Sequence, residues 1–317
     1  MGLTGKIPRD LGNLTFLVPL DLGSNNFHGN LPQEMAHLRR LKFLDLSFNR
    51  FRGEVPSWFG FLHQLEVLKL RNNSFTGSIP SSFSNISEHE TLNLKFNSIE
   101  GQIPKVIGNL LNLRVLNLVG NNLVGSIPTS LSNASGLEAL DISHNSLQGS
   151  IPEGIGNLHN MNWLGIQYNQ LTGSIPFTIF KISRIEVIAF TENSLSGSLP
   201  NGLCNGLPIL KVLYLSRNKL LGHMPTSLSN CSQLQVLALW ENDFTGFEAW
   251  RLISEVGLLL RFRIEVLAQA DSSSQLTDIR SKIIIEVHFY SFPLFISLLM
   301  EYGASNGICA LFDLDFD

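Results

Sequence analysis

The nineteen letters LHQLEVLKLRNNSFTGSIP, residues 62–80, decide the fold, because they return along the chain at a fixed interval. LLNLRVLNLVGNNLVGSIP, residues 110–128, repeats the phrase almost unchanged. The shared frame is LxxLxxLxLxxNxLxGxIP. Its asparagine falls at Asn25, Asn49, Asn73, Asn97, Asn121, Asn145, Asn169 and Asn193, a period of 24, and after one inserted residue at Asn218 and Asn242. A glycine stands four residues past each of these, from Gly29 to Gly246, and a proline seven past nine of the ten, from Pro32 to Pro225. A fixed period in this range is the signature of a stacked repeat architecture. A solenoid grows without limit on core size, since each coil packs only on its neighbours.

Each position of the frame has a physical reason. In LxL, for example Leu44 and Leu46, alternate residues of a short strand point inward while Asp45 points out. Stacking the coils pairs these strands into a parallel sheet. The asparagine carries donors and an acceptor, so at the turn after the strand it can satisfy backbone groups of its own coil and of the next, which leucine could not. Glycine admits the bend that follows, and Ile-Pro gives an extended segment that needs no amide partner.

Composition fits a folded chain of this kind: 44% hydrophobic, 15% charged, with a net charge of −4. That balance supplies no basic surface for nucleic acid. No His or Cys cluster has metal-ligand spacing, no cofactor is expected, and no nucleophile or acid–base pair stands out, so an enzyme is not expected.

The frame, with its LxGxIP half, resembles the plant-specific class of leucine-rich repeat found in the ectodomains of plant receptor-like kinases, receptor-like proteins and polygalacturonase inhibitors. The resemblance covers residues 3–246, and phrases such as LGNLTFL and IGNLHNMNWLGIQYNQLTGSIP are similar to immune receptor kinases. It implies an α/β repeat solenoid: a right-handed superhelix, a parallel β-sheet on the concave face, and 3-10 or irregular turns on the convex face. It also implies an extracellular site, a peptide or protein ligand on the concave face, and a co-receptor in the intact receptor. Two alternatives stay open, a soluble binder of the polygalacturonase-inhibitor type and a truncated gene product without function. The glycine-rich loop, VAIK lysine, HRD loop and DFG triplet of a kinase do not occur in residues 1–317.

Both ends depart from the family pattern. LTGKIP at residues 3–8 is the second half of a frame, which predicts a partial first repeat, and no hydrophobic leader or paired-cysteine cap precedes it. After Gly246 the frame collapses, so residues 247–317 are expected to be a non-repeat tail, partly helical or disordered, or an artefact of the gene reading. Residues 250–270 read as an amphipathic cap. Residues 283–300 have about the length of a membrane span, but Glu286, His288 and Pro293 argue against one.

With the frame structural, function is expected in the slots that face solvent on the concave sheet. These hold Phe48, Lys69, Arg71, Lys95 and Phe96, then His144, Trp163, Gln167 and Tyr168, then Tyr214, Arg217 and Trp240. Aromatic and arginine side chains are the usual energetic anchors of interfaces. Five N-x-[ST] glycosylation triplets occur, at Asn13, Asn72, Asn85, Asn133 and Asn230. Asn85, Asn133 and Asn230 share one slot on the helical side, whereas Asn72 is expected on the concave sheet, where a glycan would obstruct a ligand. Cys204 and Cys231 sit one coil apart, near enough for a disulfide in an oxidising exterior. One slot breaks the frame: eight residues before Asn97, where the other coils carry Leu, Met or Ile, stands His89. If inward, it buries an imidazole with no obvious partner.

Overall fold

A computed structural model describes residues 2–245; Gly246, the tail over 247–317 and the candidate span at 283–300 lie outside the described residues. Ten three-residue strands, from Pro19–Asp21 through Phe43–Asp45 to Val236–Ala238, form one parallel sheet in which every strand pairs with those of the adjacent coils. The register is exact to the repeat: Phe43, Leu44 and Asp45 stand opposite Val67, Leu68 and Lys69. From the coil of Asn49 to that of Asn218 the central leucine or isoleucine of each strand is buried, as is the apolar residue just after the strand, while at the two end coils Leu20 and Leu237 are partly exposed.

Past the asparagine the chain forms a second run of parallel strands, absent from the sequence reading. Four coils contribute from Thr4–Gly5 to Ser74–Thr76 and seven from Glu100–Gln102 to Asp243–Thr245. The xLxGx half of the frame has the alternation a strand needs, with its leucine or phenylalanine inward. Phe27, Phe51 and Phe75 stack at 6.2 and 6.3 Å in that slot. Gly53 lies within the strand Arg50–Glu54 at φ 91°, a conformation that disfavours any side chain. The prolines then open short 3-10 helices, such as Gln33–His37 after Pro32, which make the convex wall. Pro fits there because the first helical turn has no partner for its amide.

The asparagines stitch the coils together. Asn121 donates from Nδ2 to the carbonyls of Leu118 and Val119 in its own coil and of Leu94 in the coil before, at 3.1, 3.3 and 3.1 Å. Its Oδ1 accepts the Ile99 amide at 3.0 Å. The same set of contacts recurs from Asn49 to Asn218. At the 25-residue coil a disulfide joins Cys204 to Cys231, with Cα atoms 5.1 Å apart.

His89 is fully buried. Its Nδ1 lies 3.0 Å from the Leu65 carbonyl, a partner the sequence did not suggest, while Nε2 has none among the described residues. Burial lowers its pKa to about 4, against the smaller opposing effect of the Leu65 bond.

Candidate functional site

The frame places each candidate side chain by its distance from the ladder asparagine. The residue just before each asparagine takes a left-handed conformation: Phe48, Phe96, His144, Tyr168 and Arg217 all have φ between 51° and 54°. This costs energy for a residue with a Cβ. The fold imposes it, because the amide there must reach the next coil, as Phe48 N–H does to the Arg71 carbonyl at 2.9 Å. A non-glycine side chain in this slot therefore stands along the edge of the concave sheet.

Three groups of side chains gather on that sheet. In the coils of Asn49 to Asn97, the Arg71 guanidinium lies 4.4 Å from the centroid of the Phe48 ring, Lys95 5.3 Å from Phe96 and Lys69 5.8 Å from Phe43. Lys69 also reaches the Asp45 carboxylate at 4.0 Å. Such cation–ring contacts contribute about 0.5–1 kcal/mol each at exposed sites. Gly120 continues the edge column without a side chain, and the Phe96 ring occupies the space, only 2.5 Å from where a Cβ would stand.

In the coils of Asn145 and Asn169, His144 stacks on Tyr168 with centroids 4.2 Å apart and ring planes 16° apart. Beside them Asp141 leans over Gly165 of the next coil and accepts Trp163 Nε1–H at 3.2 Å and the Ser143 amide at 3.1 Å. Burial holds the Asp141 carboxyl above the usual carboxylate range, against the hydrogen bonds of Ser143 and Trp163. Burial likewise lowers His144, opposed by the charge of Asp141. Gln167 lies in the same coil, its amide bonded to Ser143 Oγ at 3.1 Å.

The last group is Arg217 and Trp240, with Tyr214 ending the strand Val212–Tyr214 of the same sheet. Arg217 stacks 4.4 Å from the Trp240 ring and is paired with Glu192 and with Glu241, the latter at 3.2 Å. Its hydrogen bond to Glu192 is the main cause of its raised pKa. All twelve sequence-derived candidates thus belong to the concave sheet or its edge, in three groups rather than one cluster. Asp141, Glu192 and Phe43 were not among the candidates. The signal for Asp141 was present, since Asp21, Asp45 and Asp141 share one slot of the frame.

Away from this face, Asn85, Asn133 and Asn230 end the 3-10 helices Ser81–Asn85, Thr129–Asn133 and Thr226–Asn230 and are exposed, as is Asn13. Asn72 is half-buried in the left-handed edge slot. Among the described residues no helix is long and apolar enough to cross a membrane, and no group of His, Cys, Asp or Glu could hold a metal ion.

Leucine-rich repeat family models match residues 40–62, 64–86, 90–110, 111–171 and 210–231. Among solved structures, the plant peptide hormone receptor RGFR1 in complex with RGF2 is 33% identical with a TM-score of 0.75, over 77% of this chain and 39% of that one. The Arabidopsis receptor kinase HAESA, in complex with the peptide hormone IDA and the co-receptor SERK1, is 33% identical with a TM-score of 0.74, over 77% and 41%. A plant ice-binding protein is 27% identical with a TM-score of 0.65, over 72% and 73%. No curated protein matches. The chain belongs to the leucine-rich repeat proteins, and its solenoid is of the plant receptor-ectodomain type. It spans about two fifths of the length of the receptors it matches.

Proposed function

We propose that this chain is ligand-binding ectodomain sequence of a plant leucine-rich repeat receptor, which captures an extended peptide or a protein segment along its concave sheet on the outer face of the plasma membrane. The observation that carries the reading is the row of rings and charges running from Phe48 to Trp240 along one sheet and its edge. Structural coils do not need such side chains in these slots. Side chains already stacked or ion-paired lose little rotamer freedom on binding, which favours affinity. In the intact receptor a co-receptor would join the occupied ectodomain, in immune or developmental signalling.

The test is capture of peptides from a plant extracellular fraction by the full chain, read by mass spectrometry. Replacing Arg71 and Tyr168 together by Ala should remove the captured peptide with the circular dichroism unchanged. Replacing the exposed convex residues Lys105 and Glu153 should leave capture intact. Equal loss in both variants would refute the reading.

A further inference from the structure

The repeat allows one coil to serve as the internal standard for another. Between the coils of Asn49 and Asn73 three groups meet on the concave sheet: the Asp45 carboxylate, the Lys69 ammonium in the same slot one coil on, and the Phe43 ring beneath that ammonium. Asp45 and Lys69 are register partners in adjacent strands. Between the coils of Asn145 and Asn169 the same register pairs Asp141 with Gly165. The carboxylate is present, and Trp163 supplies a ring beside it. That slot supplies no cation, because glycine stands where lysine stands beside Asp45.

The surroundings of Asp141 do not replace that cation. Its hydrogen-bond donors, the Ser143 amide and hydroxyl and the Trp163 indole, are all neutral. The nearby imidazole is His144, whose charged form burial disfavours, so its pull on the Asp141 carboxyl is the smallest of the opposing effects there. Next in the same slot after Gly165 comes Ala189, so that slot offers no long side chain either. With neutral donors around it, burial disfavours the charged form of this carboxyl, and a cation arriving beside it would favour that form. An aromatic face beside a carboxylate is also the arrangement that selects a cation from water.

We infer that Asp141, Trp163 and the His144–Tyr168 stack form a subsite for one cationic group of a ligand, a lysine or arginine side chain or an amino terminus, in the place that Lys69 takes beside Asp45. Its biological role rests on the concave-face reading above, but the pairing can be tested without any natural ligand. Asp141 supplies the carboxylate, Trp163 orients it through its indole N–H, and Gly165 gives that carboxylate room to lean across the coil without placing a lysine beside it. A Cβ at residue 165 would lie 2.6 Å from Asp141 Oδ1.

The experiment uses the full chain labelled with 15N at tryptophan, whose 4 indole signals are few enough to assign by substitution. Arginine amide is titrated in, with the neutral isostere citrulline amide as the matched probe. Arginine amide should move the Trp163 indole signal saturably and citrulline amide should not. Asp141→Asn, which keeps the shape of the side chain, should weaken the arginine effect tenfold or more, while Asp45→Asn should leave it unchanged. No saturable shift, an equal shift with citrulline amide, or a shift that survives Asp141→Asn would overturn the subsite. Peptide capture distinguishes the two readings: capture that survives Asp141→Asn yet fails in the Arg71 and Tyr168 variant leaves the face standing and removes the subsite.

Discussion

His89→Leu should stabilise the protein, and by more in acid. The imidazole sits fully buried in a slot that is leucine, methionine or isoleucine in the other coils, with Nε2 unsatisfied. A buried polar atom without a partner costs about 1–3 kcal/mol, so at pH 8 the leucine variant should gain roughly 1–2 kcal/mol after the loss of the Nδ1 bond to Leu65. The pH dependence has a definite sign. The folded pKa of about 4 lies below the ordinary 6.5, so the unfolded chain takes up the proton first and stability falls as the pH drops from about 6.5 toward 4. At pH 5, about 1.5 units below the ordinary value, the wild type has lost on the order of 2 kcal/mol through this group. The variant cannot lose it. Its advantage should therefore rise from roughly 1–2 kcal/mol at pH 8 to about 3–4 kcal/mol at pH 5. Paired urea titrations of the two proteins at both pH values isolate the effect, because the other titrating groups cancel in the difference. An advantage that does not change with pH would mean that His89 is exposed or charged in the native state. A variant less stable at both would mean that the slot is not an apolar one.

Other consequences follow from the same geometry. Asn121→Leu should cost about 3–5 kcal/mol in urea titrations, because the Ile99 amide and the carbonyls of Leu94, Leu118 and Val119 lose their shared partner inside the stack; a loss under 1 kcal/mol would contradict the stitching role. Glycopeptide mass spectrometry of the chain secreted from plant cells should find sugar at the exposed Asn85, Asn133 and Asn230 and little at the half-buried Asn72; full occupancy of Asn72 would contradict the use of that face for a ligand. Replacing Cys204 and Cys231 together by Ala should lower the urea midpoint, by about 2–4 kcal/mol in stability, through the freed unfolded loop of separation 27; an unchanged midpoint would show that the staple adds nothing to the stacked coils.

Much of the fold was legible because it follows from positions that repeat. The asparagine, glycine and proline columns carry one meaning in every coil, so the sheet of ten strands and the convex turns could be placed by counting. The second run of strands was not legible because the asparagine and glycine that flank its inward leucine or phenylalanine signal turns, which leaves only a few alternating residues between them. Contacts across coils were less legible still, since they depend on which neighbour lacks a side chain. Phe96 lies over Gly120, and Asp141 leans over Gly165, only because those two slots are glycine. The frame located His89 but not its bond to Leu65, because the carbonyl it meets belongs to the preceding coil. Solvent-facing slots could be listed from the period alone, whereas the three groupings within them came from the packing of particular rings and charges.

The central claim is that a ligand lies along the concave sheet, and site-directed cross-linking tests it most directly. A photoreactive phenylalanine analogue is placed at Gln167 on the concave sheet and, in a second protein, at Gln148 on the second sheet, and each is irradiated with the captured peptide. A covalent adduct at residue 167 and none at residue 148 is the predicted result; an adduct at residue 148 with none at residue 167 would contradict the account.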